Sequence, residues 1–531
     1  MIKQDGRKSL VVPKRRSLVT RRAFNTALVG GAAVAAAGCA FLGAPKPARS
    51  APTKGGLLRV ATHTQSTNDT FDPAKYIYTN DYIRGTSVYN SLTVLDELGQ
   101  ADPELAESFE PNDTATRWVF KIRKGVAYHD GAPLTMDDIV FSIMRHKDEK
   151  LASSAKPLVA NIKAVKADGP NSIVIDLNAP DVDLPIMIGT FQFMIVKSGT
   201  TDFSNPIGTG PFKVKTFKPG VGTSFARNPN YWKDGKPYVD EIEMFHVLDA
   251  VARANALLSG DAHMVTELKG TAIEQVATSA NAKVFTTPCP RYTAIQAAVD
   301  RAPSSNQDLG LALSYLIDRK RFLDTVLKGQ GVIGNDHPIM ATSPLYDHDL
   351  PQRGLDPDKA KFHLGKSGFG ASTLEIHVSD AAPFSVDIGQ LLQREASRIG
   401  LTVELKREPA DSYWNAVAGQ RPFTSITFNP RPTYNMLLNL AYKAGAAWNF
   451  SHVNDPALDK LIDDARSTLD KEQRKQIYDK IQQTIHDSGS VTLPCFMNYV
   501  DGMSKSVQGL VPVPVGNLSG FNFSDRVWLE S

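Results

Sequence analysis

Short runs of alternating apolar and polar residues recur along the chain, and stretches with helical spacing separate them. Leu57-Leu58-Arg59-Val60-Ala61, Trp118-Val119-Phe120-Lys121-Ile122 and Ser172-Ile173-Val174-Ile175-Asp176-Leu177 read as strands. The stretch 80–94 reads as a helix, with Ile83, Val88 and Leu92 as its apolar positions. Thr135 ahead of Asp137 and Asp138 predicts a helix start, because a hydroxyl caps the free N–H groups and acids favour the positive end of the dipole. Ile139, Val140 and Ile143 give that helix its apolar face. Leu313, Leu316, Ile317 and Leu323 predict a helix over 309–327. Further on, 374–378 and 401–405 alternate with period two around an amphipathic stretch, 386–399, that stops at Gly400. Strand, helix, strand is a βαβ unit and implies a parallel α/β sheet. Two helices are expected over 456–487, separated at Thr468-Leu469-Asp470, and a strand over 494–500.

A chain of 531 residues is too long for one ordinary core, so two to four lobes are expected. Its formal charge of +3 misleads: residues 1–50 hold ten Lys and Arg against the single acid Asp5, and the rest carries −6. A mildly acidic body excludes a broad nucleic-acid surface. The basic start continues into Arg21-Arg22-Ala23-Phe24, the small-residue apolar run Ala27 to Ala37, and Ala48-Arg49-Ser50. That order reads as a twin-arginine (Tat) signal peptide over 1–50, with Ala51 as the new N-terminus and a periplasmic destination. An uncleaved anchor or a disordered tail is the alternative. Ala36-Ala37-Gly38-Cys39 also allows a lipid anchor at Cys39, although the Leu usual three residues before a lipidated Cys is replaced by Ala36. Cys289 and Cys495, 206 positions apart, either pair or remain buried thiols.

Catalytic signatures are missing. The chain has no phosphate-binding G-x-x-x-x-G-K-[ST], no H-E-x-x-H, no C-x-x-C and no G-x-S-x-G. None of its eleven His forms an i, i+3 or i, i+4 pair. Gly208-Thr209-Gly210-Pro211-Phe212 reads as a tight turn into a strand, since Pro211 interrupts any nest of backbone donors. A binding protein that is not an enzyme, with no cofactor and no metal, is the expectation.

Five blocks then resemble, in order, the large extracellular solute-binding proteins of the dipeptide/oligopeptide/nickel family (family 5) of ABC importers. They are Tyr89-Asn90-Ser91-Leu92-Thr93 with Pro103 to Phe109; Trp118 to Gly131 continuing from Pro133 to Ser142; Ile207 to Phe212 with Arg227 to Trp232; Ala312 to Arg319; and Asp358-Lys359-Ala360-Lys361. The resemblance covers roughly residues 56–500. It implies a two-lobed periplasmic-binding-protein fold, with an extra domain inserted in the first lobe and a ligand cleft between lobes. Carried over, lobe I is 51–88 plus 194–294 plus 492–531, the extra lobe 89–193 and lobe II 295–491. It further implies a monomer that binds a small molecule or peptide and meets an ABC permease in the inner membrane.

Peptide-binding members of this family commonly set an Asp of lobe II against the ligand's ammonium. The corresponding stretch here carries Arg431, within Asn429-Pro430-Arg431-Pro432, and a guanidinium attracts a carboxylate or phosphate instead. Its partner is either the ligand or a protein carboxylate. By position in the family layout, Asn429, Tyr434, Trp448 and Asn449 join it, with Asn80, Asp81 and Tyr82 after the Phe71-Asp72-Pro73 loop and Arg291 and Tyr292 near the lobe crossover. Two alternatives stay open. One is a Tat-exported enzyme or cofactor protein. The other is a metal-chelate receptor of the same fold using His337, His377 or His452. The export reading predicts that Arg21→Lys with Arg22→Lys leaves full-length precursor in the cytoplasm on fractionation; normal export of that variant refutes it.

Overall fold

The strand Ala282–Ala297 spans sixteen residues and pairs antiparallel with Cys495–Ser504. A computed structural model, which describes residues 51–370 and 372–530, puts these two strands in the middle of a 12-stranded sheet. Beyond Cys495–Ser504 the sheet continues through Met264–Val265, Leu57–Thr62, Glu241–His246, Gly222–Arg227 and Phe212–Lys218. Beyond Ala282–Ala297 it continues through Phe423–Phe428, Thr373–Val378 and Thr402–Arg407. Each side has its own core: Leu58, Phe71, Phe225 and Met244 on the first, Leu374, Ile376, Leu392 and Phe423 on the second. The fold is α/β and two-lobed, and the lobes share one sheet through the crossing strands. The pairing of those strands shifts register between Thr287 and Arg291. Pro288 and Pro290 fall there, and a proline has no N–H to give to a ladder.

A separate four-stranded antiparallel sheet, Ala106–Pro111, Arg117–Ile122, Ser172–Leu177 and Ile162–Ala167 in spatial order, lies outside the large one. Trp118, Phe120 and Ile122 point inward while their neighbours are exposed, as their alternation requires. The helix Met136–Met144 covers this sheet with Ile139 and Ile143. Thr135 caps it reciprocally: its hydroxyl accepts from the Asp138 N–H, and the Asp138 carboxylate accepts from the Thr135 N–H at 2.8 Å.

Two expected helices end early. The one over 80–94 is Thr79–Val88, followed by the strand Thr93–Leu95. The Val88 carbonyl accepts from the Gly210 N–H at 2.8 Å, so it is not used for a further helical turn. Only glycine permits that approach, because a Cβ on Gly208 would sit 2.0 Å from the same oxygen. The helix over 309–327 is Gln307–Leu316; Ile317 is extended, Asp318 caps Arg319–Arg321, and Phe322–Val326 forms a π turn. The break turns Arg319 inward, where it donates to both oxygens of Asp336 at 2.6 and 2.7 Å. The other elements fall where periodicity puts them, including Ser385–Arg398 between the parallel strands Thr373–Val378 and Thr402–Arg407, and the pair Pro456–Ser467 and Lys471–Asp487.

Cys289 and Cys495 are buried free thiols, and burial pushes them up to about 11 and about 12. Residues 1–50, where a signal peptide is expected, and Cys39 among them lie outside the described residues. Among the described residues no helix is long and apolar enough to cross a membrane.

Asp336 is fully buried between Arg319 and Arg353, and its Oδ1 also accepts from the Leu493 N–H at 2.8 Å. Burial alone would raise its pKa, but the two guanidiniums hold it below the usual carboxylate range. Asp336→Asn leaves two buried cations without their counter-charge, so it is expected to cost about 3–5 kcal/mol of stability in denaturant titration. A loss below about 1 kcal/mol would show that the triad is dispensable.

Candidate functional site

A cavity of about 1190 Å³ lies where the two halves of the large sheet and the smaller sheet meet. The helix Thr79–Val88 contributes Tyr82, whose ring stacks on Phe191 at 3.6 Å and leans on Phe521 at 5.0 Å. The crossing strands contribute Arg291 and Tyr499. The loop leaving Phe423–Phe428 contributes Asn429 and Arg431, and Trp448 stands opposite them. Prolines on both sides of Arg431 restrict the backbone of this loop. The Arg431 guanidinium lies over the Trp448 ring at 4.8 Å, and its Nη1 donates to the Pro430 carbonyl at 3.3 Å.

The charges of the wall are matched with one exception. Among the described residues the lining carboxylates are Glu104, Asp181, Asp183 and Glu267, and the lining guanidiniums are Arg291, Arg431 and Arg466. Glu104 meets Lys233 at 2.7 Å, Asp181 meets Arg466 at 3.0 Å, Asp183 meets Arg474 at 2.7 Å and Glu267 meets Arg291 at 3.4 Å. Arg431 has no carboxylate within 4.0 Å among the described residues. Burial pulls its pKa below the ordinary arginine value, the sign of a cation short of counter-charge.

Of the residues expected from sequence, Tyr82, Arg291, Asn429, Arg431 and Trp448 line this cavity. The other five are held elsewhere. Asn80 is buried, donating to Asp69 at 2.6 Å and accepting from Thr64 at 2.5 Å. Asp81 is buried too; it takes the N–H groups of Ile77 and Tyr78 at 3.3 and 3.1 Å and pairs with Arg84. Tyr292 hydrogen-bonds Tyr442 at 2.8 Å in a buried core with Phe428 and Phe496. Tyr434 accepts from the Met340 N–H at 3.4 Å beside a smaller cavity of about 170 Å³. Asn449 braces its own loop by donating to the carbonyls of Lys443 and Val453 at 3.1 and 2.8 Å. His337, His377 and His452 do not line the large cavity, and the described residues hold no group of three metal-ligating side chains. Glu267, Tyr499 and Asn517 line it without any local signal in the sequence; only the crossing of distant segments reveals them.

At the edge of the cavity the second lobe is fastened to the smaller domain. Arg466 donates through Nε and Nη2 to Asp181 at 3.3 and 3.0 Å, the Val182 N–H donates to the Arg466 carbonyl at 3.0 Å, and Arg474 donates to Asp183 at 2.7 Å. Replacing both arginines, Arg466→Gln with Arg474→Gln, removes charged hydrogen bonds of about 1.5–3 kcal/mol each. The variant is expected to show a larger radius of gyration in small-angle scattering; an unaltered radius would mean that the pairs do not hold the parts together.

The family described as "Bacterial extracellular solute-binding proteins, family 5 Middle" matches residues 100–448. The chain is similar to the "Probable di/tripeptide-binding protein 5" of Pseudomonas aeruginosa, 27% identical over 480 residues that cover 82% of this chain and 89% of the relative. It is also similar to "Heme-binding protein A" of Haemophilus influenzae, 24% identical over 492 residues, covering 84% and 88%. Among solved structures, HbpA2 from Haemophilus parasuis superposes with a TM-score of 0.81 at 20% identity, over 90% of this chain and 100% of that one.

Proposed function

The chain belongs to the bacterial extracellular solute-binding proteins of family 5, and on that premise we propose that it is the receptor of an ABC importer for an anionic small solute or short peptide. It takes the solute into the cavity between its lobes, closes, and passes it to a permease in the inner membrane without turning it over. In this reading the leader carries it to the periplasm, where it acts as a monomer. Lobe II, 295–491, turns against the rest at the shifted register near Pro288 and Pro290, where the pairing that connects the lobes is interrupted.

One observation carries the choice of ligand charge: Arg431 is the guanidinium of the cavity wall that no protein carboxylate answers among the described residues. A closed cavity excludes water, so an anionic group of the solute is the natural partner, held by two parallel hydrogen bonds while Trp448 supports the guanidinium from below. A relative named for di- and tripeptides fits a ligand with a terminal carboxylate.

Mass spectrometry of small molecules released from purified protein identifies the solute, and calorimetry on Arg431 variants tests its contact. Arg431→Ala is expected to weaken binding about 10- to 150-fold, the loss of one charged hydrogen bond or bidentate pair, with the melting temperature of the empty protein unchanged. Arg431→Lys also loses affinity, because the planar fork goes with the guanidinium. Unchanged affinity of the Ala variant, or a released solute without an acidic group, overturns the reading.

A further inference from the structure

Glu267 follows the short strand Met264–Val265 and has φ +52°, a left-handed conformation that costs a residue with a Cβ about 1–2 kcal/mol. Two buried polar side chains hold it there. Asp501, fully buried, accepts from the Glu267 N–H at 3.0 Å. Arg253, 2% exposed, donates to the Glu267 carbonyl at 2.6 Å and to the carbonyls of Thr266, Val247 and Leu248 at 2.8, 2.6 and 2.7 Å. The same Asp501 carboxylate takes the Leu518 N–H at 2.7 Å and the Asn517 side chain at 2.6 Å. It thereby fixes a second strained segment of the cavity wall, in which Leu518, Ser519 and Phe521 also have positive φ.

This bracing aims the Glu267 carboxylate into the cavity but leaves it loosely met. Its donors are Arg291 and Asn517, each at 3.4 Å, and the Lys269 ammonium stands 3.8 Å away. A charge-assisted hydrogen bond closes to roughly 2.7–2.9 Å, and an ionised carboxylate has about four acceptor positions. Burial alone would protonate the group; Arg291 leads the charges that instead keep it below its usual range. The result is a fixed anion on the first lobe, in the same cavity as the unanswered Arg431 of the second, with Tyr499 beside both Arg291 and Arg431.

We propose that Glu267 receives a protonated amine of the solute, which is therefore zwitterionic, its amine held by the first lobe and its acid by Arg431 of the second. The acidic half rests on the Arg431 reading; the amine half stands on the geometry of Glu267. A zwitterion adds no net charge to the closed cavity, so burying it calls for no further counter-ion from the protein. Its two ends also bridge the lobes: each lobe gains its full contact only when the other has closed, which couples binding to closure.

The probe is a mixture of di- and tripeptides in three forms: native, N-acetylated, and methyl-esterified at the carboxyl groups. Binding is read by native mass spectrometry and by thermal shift of the purified mature protein. The parent is expected to prefer the native over the acetylated mixture by at least about tenfold. Glu267→Gln is expected to lose that preference, native and acetylated forms then binding within about twofold of each other, while Arg431→Gln keeps it. If Glu267→Gln fails to fold, Glu267→Asp retains the charge on a shorter arm and is expected to keep the preference at lower affinity. Equal binding of native and acetylated peptides by the parent, a preference that survives in Glu267→Gln, or no uptake of native peptides at all overturns the proposal. Equal binding of native and esterified peptides removes Arg431 alone, and leaves the amine contact of Glu267 standing.

Discussion

The antiparallel pairing of Ala282–Ala297 with Cys495–Ser504 is the interaction on which the other features depend. It joins segments that are about two hundred positions apart in sequence and carries one sheet from the first lobe into the second. Because the two strands are hydrogen-bonded to each other on both sides of the crossing, their backbone groups are satisfied within each lobe. Pro288 and Pro290 interrupt that pairing at one place, and Arg291 and Tyr499 on either side of the interruption face the cavity. The connection between lobes and the floor of the site are therefore the same few residues.

Charge is distributed according to burial. In the second lobe Asp336 joins Arg319 and Arg353 out of contact with water, and its role is to fix where the chain breaks after Leu316. Around the cavity the carboxylates Glu104, Asp181 and Asp183 each have a cation within 3.0 Å, which holds the wall together without leaving charge for a ligand. Arg431 and Glu267 differ from these: one lacks a carboxylate among the described residues, and the other has only distant donors. In a wall where charges are otherwise closely paired, such departures are where a solute gains most from binding.

Strain follows the same logic. Glu267, Leu518, Ser519 and Phe521 occupy the left-handed region without being glycine, and all but one of them line the cavity. Backbone of this kind persists where the surroundings over-determine it, and here Asp501 and Arg253 do so from beneath the surface. At the end of Thr79–Val88 glycine meets a different demand, close approach: a Cβ on Gly208 or Gly210 would collide with the Val88 carbonyl.

Much of the architecture was legible in the sequence because it depends on local periodicity. The alternation of 117–122, the cap at Thr135, and the strand–helix–strand order over 373–407 each follow from neighbours within a few residues. Arg431 could be singled out as well, because it stands in the stretch that corresponds to the family's ammonium-binding Asp. Two helix ends could not, because Val88 is stopped by Gly210 and the break after Leu316 is tied to Asp336, partners that periodicity does not report. Nor could sequence separate Asn80 and Asp81, turned inward to Asp69 and Arg84, from Tyr82, which faces the cavity one position later. The sequence by itself determined the elements, the α/β class and the kind of binding protein this is. The tertiary structure alone decided which charges meet, since whether Arg431 and Glu267 find partners depends on segments that come together only when the two lobes and the crossing strands are assembled.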